Sequence, residues 1–234
     1  MLSNNLVNLI KILPESIVIK IARKIVQRYL KKYADLKVSG FDKIEIVQGA
    51  KIFICNHLSN SDGFILESIL KKKYDPTFVA GVKLTNDPIT NFGTKIVKHI
   101  SIKPNTADKE AIVSMINLVK SGESLVIFPE GTRSRNGAMG EGKKGILLLA
   151  RLTKATIIPI GITGTEILLP ISKTGDMGGE TWHNADVNIK FGEAVTLPKR
   201  NKEQEKHEYE DECMNVLMGG IARLLPESYR GVYK

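Results

Sequence analysis

Short apolar runs alternate with stretches of helical periodicity along most of this 234-residue chain, and that alternation restricts the folds open to it more than any other feature. Residues 36–38, 45–47, 51–55, 77–80, 100–102, 125–128, 156–162 and 187–191 read as strands. Between and after them, residues 63–72, 88–98, 108–121, 144–153 and 203–224 read as helices. Strands that are apolar on both faces and separated by helices belong in a sheet covered on both sides. The expected fold class is therefore α/β, a mainly parallel central β-sheet flanked by helices, over residues 34–234 as one domain. In such sheets ligands gather beyond the carboxyl ends of the strands. Residues 173–184 form a long glycine-bearing loop that either covers a site or is an insertion.

With 42% hydrophobic and 25% charged residues, the chain has ample material for a core and is not expected to be disordered. Its longest stretch without a charged residue, 155–165, is far short of the roughly 18 to 20 apolar residues that span a bilayer. The first ten residues lack the basic start and small-residue cleavage site of a signal peptide, so a cytoplasmic location is expected. Cys55 and Cys213 have no metal-ligand spacing and read as reduced core residues, with no metal site expected.

The net charge of +9 is concentrated at one end. Residues 1–33 hold seven basic residues against Glu15 alone, a balance of 7 − 1 = +6, leaving +3 for the other 201 residues. On a helix of about 100° per residue, 16–33 gathers Ile17, Val18, Ile21, Ala22, Ile25, Val26, Tyr29 and Leu30 into one broad arc. Lys20, Arg23, Lys24 and Lys31 lie opposite. That pattern fits a helix lying in the plane of an anionic bilayer, and it fits equally a helix packed on its own domain. Residues 2–13 are also apolar and end at Pro14, so 1–33 is expected as an N-terminal amphipathic helical hairpin. Nucleic acid is a poor match for the basic segment, which has no interleaved aromatics and no helix-turn-helix or zinc-finger spacing.

Two polar islands follow strands. The first, "ICNHLSNSDGFIL" (54–66), sets His57 and Asp62 five positions apart in a Ser/Asn-rich turn. In continuous helix that spacing would turn the two side chains away from each other. If the strand ends at Cys55 and Ser59 or Ser61 caps the next helix, the imidazole folds back onto the carboxylate. The contact would fix the tautomer, leave the other nitrogen as an acceptor and stabilise the imidazolium. A turn histidine that only caps a helix fits the same spacing. The second island, "FPEGTRSR" (128–135), follows the strand "SLVIF". Gly131 lets backbone approach a ligand, Thr132 supplies a hydroxyl, and Arg133 supplies a planar fork suited to phosphate. Lys143 and Lys144 stand at the start of the next helix, where backbone N–H groups also favour an anion.

Taken in order, "NHLSNSD", "FPEGTRS", "KKG" and "IIPIGITGT" resemble the glycerolipid acyltransferases that carry an H-x-x-x-x-D motif, specifically the bacterial 1-acyl-sn-glycerol-3-phosphate (lysophosphatidic acid) acyltransferases. The resemblance runs from about residue 34 to the C-terminus. It implies that His57 is the general base, that Asp62 orients it, and that Glu130, Gly131, Thr132 and Arg133 bind the glycerol phosphate. It places Ile158, Pro159 and Ile160 near the acyl donor or in support of the sheet. Where the family has a K-K-E-L-like segment and then a strand ending in arginine, this chain reads "AGVKL" and "ISIKPN". Lys83 is expected near the first, and Lys103 is expected in place of the arginine, with the charge kept and the bidentate fork lost.

The implied reaction passes an acyl group from acyl-CoA or acyl-carrier protein to the sn-2 hydroxyl of lysophosphatidic acid, without metal or cofactor. His57 and Arg133 are expected to open into one cavity. Because acceptor and product live in a bilayer, the resemblance favours 1–33 as an anchor on an anionic membrane. The location it implies is peripheral, on the cytoplasmic face of the cell membrane. Other lyso-acceptors, glycerol 3-phosphate among them, and a non-catalytic lipid-binding protein of the same fold are the alternatives.

Overall fold

The computed structural model describes residues 14–81, 96–103, 106, 108–172 and 179–233. Residues 2–13 of the expected hairpin, most of the expected 88–98 helix and Lys83 lie outside them. Among the described residues seven strands form one sheet: β1 (Ala34–Ser39), β2 (Lys51–Cys55), β3 (Thr77–Gly81), β4 (His99–Ile102), β5 (Leu125–Ile127), β6 (Thr156–Thr163) and β7 (Ala185–Phe191). Their order is β1-β7-β6-β2-β5-β3-β4, and every pairing is parallel except that of β6 with β7. The α/β class with a mainly parallel sheet is therefore the observed one.

Strand β2 lies at the centre and is buried at every position. Its alternation divides the core between the two faces of the sheet. Phe53 and Cys55 join Ile158, Ile160 and Ile162 of β6 on one side, under α1 (Glu15–Tyr33) and α3 (Ser61–Tyr74). Ile52, Ile54 and Ile157 face the other side, under α4 (Lys109–Lys120), α5 (Gly145–Thr153) and α7 (Lys206–Ala222), with the short α6 (Thr165–Leu168) between β6 and β7. Both cysteines are free and buried, Cys55 in β2 and Cys213 in α7.

Pro159 sits inside β6, where a missing N–H would ordinarily break a ladder. Its carbonyl accepts from Gly192 N at 2.9 Å, just past the end of β7. In a strand the N and C=O of one residue point to the same side, so the proline nitrogen faces that strand end and the ladder to β2 stays whole.

The expected strand over 45–47 is not a strand. Gly40, at φ +73°, turns the chain out of β1 into α2 (Phe41–Glu45). The signal misread there is a helical spacing of three: Ile44 is fully buried and Phe41 packs edge-on against Phe191, while Ile46 is 80% exposed in the following turn. Any side chain at position 40 would place its Cβ 2.2 Å from the Phe191 carbonyl oxygen, so this turn requires glycine.

Helix α1 divides its apolar arc between two environments. Val18, Ala22 and Leu30 are buried on the domain, and Arg23 pairs with Glu67 of α3 at 3.4 Å and donates to the Ile96 carbonyl at 2.8 Å. Ile17, Ile21, Ile25 and Tyr29, each four residues from the next, remain 41–46% exposed. Lys20, Lys24, Arg28, Lys31 and Lys32 are exposed as well. No helix among the described residues is long and apolar enough to cross a membrane.

Candidate active site

Both polar islands fall at the carboxyl ends of neighbouring strands, because β2 and β5 pair in parallel. Asn56 fixes where the first begins. Fully buried beyond β2, it donates to the Ile162 carbonyl and accepts from Ile162 N, each at 2.8 Å, which extends the grip of β2 on β6 by one residue. The loop then curls around one carboxylate oxygen. Asp62, in the first turn of α3 and fully buried, accepts on Oδ2 from Leu58 N at 2.7 Å and Ser59 N at 2.9 Å. The same oxygen lies 2.8 Å from His57 Nδ1. Ser59 Oγ accepts from Ser61 N at 3.1 Å at the helix start. A carboxylate oxygen with this set of donors takes the acceptor role toward the imidazole, which in the neutral ring places the proton on Nδ1 and leaves Nε2 as the acceptor nitrogen.

The second island holds the histidine from the other side. The imidazole stacks on Phe128, 4.1 Å between centroids and 18° between planes, and keeps 20% of its side chain exposed. Glu130, 3% exposed, accepts from His57 N at 2.9 Å on one oxygen and from Gly140 N at 2.7 Å on the other. Burial pushes its carboxyl above the ordinary glutamate range, against the opposing pull of those two N–H bonds. Ser134 N donates to the His57 carbonyl at 2.7 Å. The backbone of His57 is thus fixed at both its N–H and its C=O by residues more than 70 positions away.

The remaining expected site residues divide. Gly131, at φ +70°, and Thr132 are exposed in the turn that follows, with the Lys143 side chain 3.6 Å from where a Cβ on Gly131 would stand. Arg133 is 10% exposed at its side chain and gives Nη1 to Glu180 Oε1 at 2.6 Å. Lys103 is exposed after β4, a strand separated from β2 by β5 and β3, and its N–H donates to Asp108 Oδ2 at 3.0 Å. The structure brings together His57, Asp62, Glu130 and the turn at Gly131, while Lys103 stands farther along the same row of strand ends, with β5 and β3 between its strand and β2. Lys144, which was expected to add an anion-binding cation, pairs with Asp211 of α7 at 2.6 Å.

A cavity of about 630 Å³ borders the site through Leu58 and Ser134 and is also walled by Arg135, Glu166 and Tyr229. It is lined by neither His57 nor Arg133, so it is not the shared cavity that was expected. Tyr229, whose phenol is pushed up to about 12 by burial and by its hydrogen bond to Glu166, stays neutral there over the physiological range. Three contributors were missed in the sequence: Asn56, the stacking Phe128 and Glu180. Asn56 lies within the first island and Phe128 begins the second. Glu180 belongs to the loop at 173–184, and no spacing ties it to Arg133, 47 residues away.

No group of three or more His, Cys, Asp or Glu among the described residues is arranged to hold a metal ion. The arrangement is an imidazole held through Nδ1 by a buried carboxylate at the carboxyl edge of a mainly parallel sheet.

Residues 35–163, more than half of the chain, match the family model described as Acyltransferase. The chain is 25% identical over 142 residues to the chloroplastic 1-acyl-sn-glycerol-3-phosphate acyltransferase LPAT1 of Arabidopsis thaliana, covering 60% of this chain and 39% of that protein. It is 27% identical over 160 residues to a probable 1-acyl-sn-glycerol-3-phosphate acyltransferase of Mycoplasma genitalium, covering 66% and 59%. The chain thus spans about two fifths of the length of the plant relative and under two thirds of the bacterial one. Among solved structures it is similar to the 1-acyl-sn-glycerophosphate (LPA) acyltransferase PlsC of Thermotoga maritima, with TM-score 0.60 and 26% identity over 90% of this chain and 81% of that one. With the two islands at adjoining strand ends and the family match running from β1 through β6, the chain belongs to the acyltransferase family.

Proposed function

We propose that this chain transfers an acyl group from a thioester donor, acyl-CoA or acyl-carrier protein, to the sn-2 hydroxyl of 1-acyl-sn-glycerol-3-phosphate, giving phosphatidic acid. Nε2 of neutral His57 takes the hydroxyl proton as the oxygen bonds to the thioester carbonyl carbon. The tetrahedral intermediate collapses by breaking its C–S bond, and the imidazolium returns the proton to the leaving thiolate. The bookkeeping closes with no metal, cofactor or covalent enzyme intermediate. General base catalysis of this kind contributes about 10² to 10⁴-fold, and the rest falls to holding the acceptor in place. For that role the reading keeps Gly131, Thr132 and Arg133, with Lys103 and Lys83 as further cations toward the headgroup. Glu130 acts instead through the backbone of His57.

The observation that carries the reading is the 2.8 Å contact of His57 Nδ1 with a buried carboxylate already accepting two backbone N–H groups. A protein that only bound lipid would need no such orienting partner. The names of the relatives support lysophosphatidic acid as acceptor. The test is a product assay of purified protein with this acceptor and each thioester donor. His57→Ala should lower turnover by at least about 10²-fold with an unchanged melting curve. Near-normal turnover of a folded His57→Ala protein overturns the assignment.

The exposed Ile17, Ile21, Ile25 and Tyr29 stripe, flanked by cations, supports peripheral docking of α1 on an anionic membrane, on the cytoplasmic face. Residues 1–33 are proposed as the docking unit and 34–234 as the acyltransferase domain.

A further inference from the structure

Glu180 lies in none of the motifs, yet it holds the guanidinium that the reading above gives to the acceptor phosphate. Its side chain is 1% exposed, and each oxygen has a donor: Arg133 Nη1 at 2.6 Å on Oε1 and Asn60 Nδ2 at 2.7 Å on Oε2. Asn60 is three residues from His57 and immediately precedes α3, so the carboxylate bridges the two islands. Two residues on, the Trp182 ring packs on Tyr29 of α1 at 5.6 Å between centroids, which anchors this part of the loop against the domain. A buried carboxylate that accepts from an arginine and an amide occupies the kind of seat a phosphate oxygen would take, since both anions present the same acceptors to the same donors.

We infer that Glu180 is an internal competitor for the acceptor's phosphate at Arg133 and so sets how strongly the chain prefers a phosphorylated acceptor. The inference rests on the reading that Arg133 binds the acceptor phosphate. An anion arriving at Arg133 must displace the Glu180 carboxylate, and its apparent affinity is lowered by the fraction of molecules in which the guanidinium is free. An acceptor without phosphate makes no demand on Arg133 and pays no such penalty. Glu180 is therefore a positioning residue that acts through Arg133 and touches no reacting atom.

The experiment compares wild type with Glu180→Gln in two arms. Gln keeps an oxygen for one donor and nearly the same volume but removes the charge. In the kinetic arm, KM for 1-acyl-sn-glycerol-3-phosphate should fall about threefold to tenfold, while KM for 1-monoacylglycerol moves less. A rise in KM for the phosphorylated acceptor, or an equal change for both acceptors, means that Glu180 only supports the fold or the Arg133 fork, and overturns the inference. In the binding arm, glycerol 3-phosphate is titrated calorimetrically into each protein and should bind the variant more tightly by a similar factor. Equal or weaker binding overturns the inference without reference to turnover. If wild type acylates neither acceptor, the functional reading fails on its own and the binding arm still decides this one. Should Glu180→Gln fail to fold, Glu180→Asp, whose shorter carboxylate loosens the grip on Arg133, takes its place with the same expected direction in both arms.

Discussion

The part-buried backbone N–H of His57 finds its acceptor in the carboxylate of Glu130, which serves Gly140 with its other oxygen. Removing that carboxylate leaves two part-buried donors without their acceptor, at a cost below the about 1–3 kcal/mol of a fully buried one because water can reach them. Glu130→Ala should therefore lower the urea midpoint at unchanged m-value and, by loosening His57, lower kcat more than it raises KM. The raised pKa of Glu130 has a consequence of definite sign. Between its ordinary value of 4.5 and its higher folded value, the folded protein holds this proton more tightly than the unfolded chain does. Its contribution to stability is thus fully present below 4.5 and is lost as pH rises through the folded value. Glu130→Gln cannot titrate, so the gap in unfolding free energy between wild type and this variant should change over that window in urea melts at stepped pH, with wild type losing ground as pH rises. Asp62→Asn separates charge from shape. It keeps an oxygen for the three donors and loses the charge that stabilises the imidazolium, so turnover at saturating acceptor should fall about 10²-fold or more in a folded protein.

At the scale of elements, α1 and α7 make opposite uses of their apolar surface. Gly161 of β6 sits where a Cβ would stand 2.8 Å from Leu224 Cβ, and that absence lets the segment after α7 lie against the sheet. Gly161→Ala should cost about 1–3 kcal/mol through overpacking, read from a thermal or urea melt. Helix α1 is bound to the domain through Val18, Ala22, Leu30 and Arg23, so deleting it would expose core and confuse anchoring with stability. Replacing Ile17, Ile21 and Ile25 together with serine touches only the exposed stripe. The triple variant is expected to melt close to wild type and to lose sedimentation with anionic vesicles; equal sedimentation would remove α1 as the anchor.

For the whole molecule, the placement of charge matters more than its total. Of the net +9, six charges belong to the first 33 residues, so the molecule carries its basic end beside the exposed apolar stripe of α1. Each cation near an anionic surface adds about 1 kcal/mol of attraction, and the screening length contracts from about 10 Å at 0.1 M salt to about 3 Å at 1 M. Vesicle binding should weaken steeply with salt and with dilution of the anionic lipid, while turnover on acceptor presented in neutral detergent micelles responds less. Flotation across a salt series checks this.

Much of the architecture is written locally. Apolar strands such as 51–55, separated by helical periods, require a sheet covered on both faces, and the polar islands after β2 and β5 can then lie only at its carboxyl edge. The pairing of His57 with Asp62 is equally local, because a single turn of loop closes it. The segment at 45–47 failed since two apolar residues after Glu45 have no period of their own, and burial of Ile44 with packing of Phe41 on Phe191 decided it. Which carboxylates Arg133 and the His57 N–H meet, and that the apolar arc of α1 is split between core and surface, follow from contacts between residues tens of positions apart. Such contacts leave no periodic mark on a chain: they exist only after the sheet has brought those positions together, and the depth of burial it creates there sets the strength of each charge pairing.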